Sequence, residues 1–262
     1  MLSRFGGRVG SAGREFASGS VACDSSSLIS LADCCLLPIL AHLKPCFAEE
    51  GDGGGRARGE FLISREVKRE CIDQPLKLKS HTLPAVRLEL ALNDGLISVA
   101  DARNLGGRTE EVLWVANNIF FENDKPVPIM HAGEAETLAL ALELGLKNIM
   151  IDERTLRFLV EKPEALRSHM AGEFRRDIRV NEKYLDRFRR TCAGLSLFRS
   201  SELVIIAFER GYFRRFGRLE TRALEAALYG VKFAGCSISF EEIGEYAKGF
   251  GRERGRRAWK AE

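Results

Sequence analysis

The sequence predicts an α/β fold, a three-layer α/β/α arrangement around a central parallel sheet. Three observations carry that expectation. Short apolar runs alternate with stretches whose apolar residues recur at helical spacing through most of the chain. One run, residues 147–152 (KNIMID), is apolar through its centre, as a parallel strand covered on both faces must be. Two runs end on aspartates, Asp24 and Asp152, at the strand end where doubly wound sheets form their sites.

The elements follow in order. Residues 20–25 (SVACDS) read as a strand ending on Asp24, and 25–37 (SSSLISLADCCLL) reads as a helix with its serines placed to cap it. The apolar run 27–43 is broken by Asp33 and Pro38, too short for a bilayer that needs about 20 apolar residues, so it reads as a buried helix and turn. Residues 48–60 form a Gly-rich, charged segment expected as a flexible loop; no Lys-Ser or Lys-Thr follows its glycines, so it is not a phosphate cradle. Next come a strand at 60–64, a helix at 65–72 carrying Glu70, and an amphipathic helix at 84–92 stopped by Asn93-Asp94-Gly95. A strand at 96–102 precedes a helix predicted over the whole of 109–122, with Trp114 and Phe121 on or near its apolar face.

The stretch 133–145 (GEAETLALALELG) opens a helix with two carboxylates, Glu134 and Glu136, and leads into the strand ending on Asp152. Residues 155–194 read as a basic insertion forming a small subdomain. The fold resumes over 195–248, with a strand at 195–200 and helices at 201–213, 219–235 and 239–248, and a basic tail occupies 249–262. The first part of the domain is thus 21–154. Residues 1–20, rich in Arg, Ser and Gly, fit a disordered leader, a start assigned too early, or an organelle transit peptide.

Composition narrows the classes. At 262 residues, 45% hydrophobic and 29% charged, the chain can bury a full core and is neither disordered nor membranous in character. Its seven cysteines are odd in number, scattered and lack a C-x-x-C pair, which points to a reducing compartment and small buried thiols, and against a zinc knuckle. The net charge of +3 hides an asymmetry: 16 basic against 21 acidic residues up to Asp152, and 24 against 16 from Glu153 onward. A basic half suggests a polyanionic partner. Phe174, Phe188, Tyr212, Phe213, Phe216 and Trp259 lie among these cations, and aromatic platforms beside cations are how single strands are held; the same rings could equally belong to the core.

Singly, each acid has an ordinary use: Asp24 and Asp152 as helix caps, Glu134 as a partner of a helix dipole. Together, two acids at strand ends and one opening the helix between them suggest a metal centre. Glu136 lies two positions on, about 200° around a helix of 3.6 residues per turn, and shares a face with Glu134 only if the helix starts between them; it is a second candidate. The residues CDSSSLISLA, the Val67-x-x-Glu70 pair, GEAETLALALELG and IDER resemble, in this order and spacing, the PIN-domain family of metal-dependent ribonucleases, closest to prokaryotic members with a Gly-Glu-Ala-Glu motif. The likeness spans about residues 21–248, less the Gly-rich segment and the insertion.

The resemblance implies a sheet whose carboxyl edge gathers Asp24, Glu70, Glu134 and Asp152, with Ser26 and Ser200 as small hydroxyls nearby. Asp24 and Asp152 would be direct ligands, Glu134 a ligand or water orienter, and Glu70 an outer-shell group. Crowded carboxylates ionise together only beside a cation, and oxygen donors without histidine favour Mg²⁺ or Mn²⁺. Arg154 could meet a phosphate or close a helix-start salt bridge. The implied activity is a cytoplasmic endoribonuclease acting on single-stranded RNA, in RNA processing or as a toxin with an antitoxin partner; a homodimer is also implied. The alternative is a PIN-like RNA- or protein-binding module without strong catalysis. A haloacid dehalogenase-type phosphatase would need a second aspartate where Ser26 stands, which disfavours it.

Overall fold

The computed structural model describes residues 19–47, 49–50, 56–57, 59–78, 82–161, 164, 166–167, 170 and 178–258. Five strands, β1 (Val21–Cys23), β4 (Phe61–Ile63), β5 (Ile97–Val99), β8 (Asn148–Met150) and β10 (Ser196–Phe198), form one sheet in the order β10-β8-β1-β4-β5. Every pairing in it is parallel, with Cys23 opposite Met150 and Phe198 opposite Met150 on its other side. The chain builds outward from β1 through β4 to β5, then returns to the other side of β1 for β8 and β10. The strand order therefore reverses between β1 and β8, and a crevice opens at their carboxyl ends.

Side chains alternate across the sheet as a period of two requires. Val21, Cys23, Phe61, Ile63, Met150 and Phe198 enter one apolar layer, and Ala22, Ile149 and Leu197 enter the other. The first layer is covered by α1 (Ser25–Asp33), α2 (Pro38–Leu43), α4 (Thr82–Asn93), α9 (Ser200–Glu209), α10 (Glu220–Phe233) and α11 (Phe240–Ala258). The second is covered by α5 (Leu105–Asn117), α6 (Ala132–Glu143), α7 (Arg154–Glu161) and α8 (Glu182–Thr191). This is a three-layer α/β/α architecture around a parallel sheet. Gly95 and Gly145, at φ +67° and +65°, end α4 and α6 with the same left-handed turn. It lets Leu96 and Leu146 donate back to Ala91 and Ala141 at 2.8 Å.

Several elements differ from the sequence reading. The segment 48–60, expected as a flexible loop, contains a two-strand ladder, β2 (Glu49–Glu50) against β3 (Arg56–Ala57). The helix predicted to run to residue 122 stops at Asn117, because the Asn117 side chain turns to accept from the Ile129 and Met130 amides at 2.8 and 2.9 Å. Phe121 then belongs to β6 (Phe120–Glu122), paired with β7 (Lys125–Pro126) through Asn123 and Asp124, both at positive φ. Trp114 points outward, 61% exposed. Of the seven thiols Cys35 is exposed, while Cys23, Cys71, Cys192 and Cys236 are buried; all are free.

The region 155–194, read as an inserted subdomain, shares the second core. Leu156, Leu159, Leu185 and Phe188 pack with Leu138, Ile149 and Ile151, and β9 (Arg179–Val180) pairs antiparallel with β6. Helix α11 carries regular structure through residue 258, well into the segment expected as a tail. The leader up to residue 18 lies outside the described residues, as do Phe174 and Trp259. No single helix among the described residues is long and apolar enough to cross a membrane.

Candidate functional site

The crevice at the strand reversal is built first by three consecutive serines. Asp24 follows β1 directly and caps α1, accepting the Ser26 amide at 3.0 Å. The Ser26 hydroxyl donates to the same Asp24 oxygen at 2.6 Å and accepts the Asp152 amide at 3.3 Å, joining the ends of β1 and β8. Ser25 donates to Glu70 Oε2 at 3.0 Å. Ser27 reaches the Asp24 and Met150 carbonyls at 3.0 and 3.1 Å. Each serine at the head of α1 therefore ties that helix to a different part of the edge.

Glu70 arrives from a wider helical turn. After α3 (Arg65–Lys68) the chain passes into a π-helical segment, Arg69–Asp73, a form that recurs at functional sites. Its carboxylate lies against the start of α6: a Cβ added at Gly133 would stand 2.6 Å from Glu70 Oε2 and 2.9 Å from Oε1. A side chain at position 133 would force the Glu70 carboxylate to shift, which glycine avoids.

Glu134 reaches back to accept the His131 amide at 2.8 Å, closing the first turn of α6. Burial pushes its carboxyl from 4.5 up to about 7; the His131 bond opposes this, and the charges of Glu153, Asp24 and Glu70 add to it. Asp24 is raised from 3.8 to about 6, chiefly by burial, against the pull of its Ser26 bonds and helped by the Glu70 charge. The Glu70 charge thus acts on both Asp24 and Glu134, and Glu134 also feels Asp24 and Glu153. A cation is the simplest group that would let them ionise together.

Asp152 is placed differently. It is fully buried, and its two oxygens accept the Ser200 amide and the Ser200 hydroxyl, both at 2.7 Å. Burial raises its carboxyl, while Ser200, Ser30 and Cys236 stabilise the ionised form. The side chain is committed to the N-terminus of α9, and Asp152 joins the edge through its backbone amide on Ser26. Glu136, the second candidate on α6, accepts the Glu66 amide at 3.2 Å and caps α3; two residues from Glu134, it faces another partner, as the 100° step of a helix requires. The cap of α7 is Glu153, which accepts from Thr155 Oγ1 at 2.7 Å and the Leu156 amide at 3.0 Å.

Glu153 and His131 are not among the candidates singled out from the sequence. Both line a cavity of about 460 Å³ next to Glu134, lined also by Arg154 and by the apolar Ile129, Leu166 and Met170. That volume falls within the range of small-ligand pockets. Nothing in the sequence marks either, since glutamate is not a preferred N-cap residue.

The oxygen-only donor set of Asp24, Glu70 and Glu134 suits a hard divalent cation in kind. Among the described residues, however, no group of three or more His, Cys, Asp or Glu is arranged to hold a metal ion. A cation here would take one or two carboxylates and complete its shell with water or substrate oxygens, as Mg²⁺ commonly does. Compared with family models, curated proteins and solved structures, the chain matches none of them.

Proposed function

We propose that this chain is a PIN-like ribonuclease that depends on Mg²⁺ or Mn²⁺ and hydrolyses RNA phosphodiester bonds. The observation that carries the reading is the group Asp24, Glu70 and Glu134 at the point of strand reversal, two of its members raised toward neutrality by burial and by their neighbours' charge. Such an arrangement costs stability and is commonest where charge has a chemical use. Asp24 and Glu134, with Glu70 beside them, would hold the cation; when bound it would polarise a water and offset charge on an in-line displacement. Ser25 and Ser26 orient Glu70 and Asp24. Asp152 is a positioning residue that fixes α9 against β8 and steadies Ser26. The adjoining cavity gives a nucleotide room beside Glu134, with Arg154 at hand for a phosphate.

A processing enzyme fits the basic second half better than a toxin does, since extended cationic surface serves a long polyanion. An antitoxin-like or other protein partner and a homodimer remain part of the resemblance rather than of the geometry. A cytoplasmic setting is supported by free thiols at every described cysteine. A second reading, a PIN-like module that binds RNA or protein without cutting, draws on the lack of a preassembled three-residue metal group among the described residues.

The deciding experiment is cleavage of labelled single-stranded and structured RNAs with Mn²⁺, Mg²⁺ or chelator by wild type, Asp24→Asn, Glu134→Gln and Asp152→Asn. Metal-dependent cutting lost in Asp24→Asn and Glu134→Gln supports the enzyme. Retained RNA binding without cutting under any metal supports the module.

A further inference from the structure

Far from the acidic edge, the chain makes a compact cationic turn. Residues 210–219 (RGYFRRFGRL) contain four arginines and no acid. The turn starts where α9 ends; ten residues at about 1.5 Å each put it roughly 14 Å along the helix from Ser200 and the Asp152 carboxylate. Gly211 turns the chain at φ +86°, with the Arg214 side chain lying over it, and Gly217 turns it again at φ +55°.

Between the two glycines Phe213 is buried, Tyr212 is half-buried against the core, and the other three residues are exposed. Phe213 is 2% exposed and packs on Phe208 at 6.1 Å, pinning the segment to the core. Arg214, Arg215, Phe216 and Arg218 are all exposed, as is Arg222 on the following helix. The Arg215 guanidinium lies 4.3 Å from the Tyr212 ring centroid and 5.0 Å from that of Phe216, and it donates to the Tyr212 hydroxyl at 2.9 Å. Tyr212 is braced in turn by His42, 5.5 Å away edge-on, whose ring nitrogen lies 3.2 Å from the Arg210 carbonyl. None of Arg210, Arg214, Arg215, Arg218 or Arg222 is ion-paired to a carboxylate among the described residues.

An exposed arginine on a solvated face usually finds an acid or spreads among other charges. Here four arginines are gathered over residues 210–219 with no acid between them, flanked by Glu209 and the buried Glu220; Arg215 is held over two rings, one of them the half-exposed Phe216. We propose that the turn at residues 210–222 is an anchoring site for single-stranded RNA: Arg214, Arg215 and Arg218 contact successive phosphates, and Phe216 stacks on a base. Cations that track a backbone, with aromatic rings between them, are the physical requirements for sequence-tolerant binding of single strands. The site lies outside the acidic edge, and it gives an RNA-acting enzyme a second hold on its substrate. The proposal rests on RNA being the partner in the proposed function, but not on cleavage.

The test is binding of a labelled 15-nucleotide oligouridine to the full chain, followed by fluorescence anisotropy in chelator over a range of KCl. The variants are the triple Arg214→Gln/Arg215→Gln/Arg218→Gln, Phe216→Ala, and a control triple at the exposed cations Lys77, Lys183 and Arg190. Each phosphate contact contributes about 0.7 to the slope of log affinity against log salt for single strands. The arginine triple should therefore weaken binding at least tenfold at 0.1 M salt and flatten the slope by about 2. Phe216→Ala should weaken binding about fivefold or more at an unchanged slope, as loss of one stacked base does. The control triple should move neither by a comparable amount.

An unchanged affinity and slope in the arginine triple would overturn the proposal. So would an equal loss in the control triple. Vesicles rich in phosphatidylserine provide a further arm: if the arginine triple loses vesicle binding but keeps RNA binding, the turn is a lipid contact and the RNA anchor is wrong. Cleavage separates the two readings. Metal-dependent cutting that depends on Asp24 alongside an inert arginine triple sinks the anchor alone, whereas salt-sensitive binding lost in the triple without any cutting sinks the nuclease alone.

Discussion

Replacing Asp24 by asparagine should stabilise this protein at neutral pH, and the size of the gain follows from the geometry of the crevice. Asp24 is 3% exposed and its carboxyl is raised from 3.8 to about 6. Between those two values the folded state holds a proton that the unfolded state has released. Stability therefore falls as pH rises through that window and stays lower above it. At about 1.4 kcal/mol per pH unit, the ionised side chain costs the fold on the order of 3 kcal/mol, a large share of the 5–15 kcal/mol typical of a domain. Both Ser26 bonds run to a single Asp24 oxygen, so an asparagine can turn its carbonyl there and keep them.

The assay is urea unfolding of wild type and Asp24→Asn at pH 4 and pH 8, with chelator present. The difference between the proteins at pH 8 should exceed that at pH 4 by roughly 2 to 3 kcal/mol in favour of the variant; comparing two pH values cancels whatever the amide changes by packing alone. Adding Mg²⁺ at pH 8 should then raise the midpoint of wild type and leave the variant in place, because a ligand stabilises only the state that binds it. A variant no more stable at pH 8 than at pH 4, relative to wild type, would refute the claim that buried charge is concentrated at this edge.

Other consequences can be measured as directly. Gly133→Ala would gain about 1 kcal/mol from helix propensity alone, yet should destabilise the protein because its methyl meets the Glu70 carboxylate; adding Glu70→Ala should reverse the sign, a coupling visible in a double-mutant cycle. Glu242 is held down to about 2: burial opposes ionisation, but Arg199, at 2.8 Å, outweighs it. Its contribution is present above 4.5 and lost as pH falls through about 2, so Glu242→Gln should lower the melting temperature at pH 7 and match wild type near pH 2. With the side chain 39% exposed, screening limits the effect to about 1 kcal/mol. Cys35 is exposed at φ +57°: it should be the thiol that reacts first with a soluble disulfide reagent, and Cys35→Gly should add about 1 kcal/mol by relieving the left-handed backbone.

The sequence by itself determined the alternation of strands and helices, since each element depends on residues close along the chain: the apolar centre of residues 147–152, the Asn93-Asp94-Gly95 stop, the serines after Asp24. It failed where two local signals compete. The aromatics at 120 and 121 fit a helix face or a strand equally, and the choice was made by Asn117 bonding to a loop twelve residues on. The four acids of the candidate site were all legible as residues, but not their directions. Only the tertiary structure put β8 beside β1 across the reversal, turned Asp152 into the Ser200 amide, gave Glu136 to the start of α3 and seated Glu70 against Gly133. Backbone periodicity is a short-range property written in neighbouring residues; where a side chain points depends on which distant donor satisfies it, and that is decided only when the layers pack.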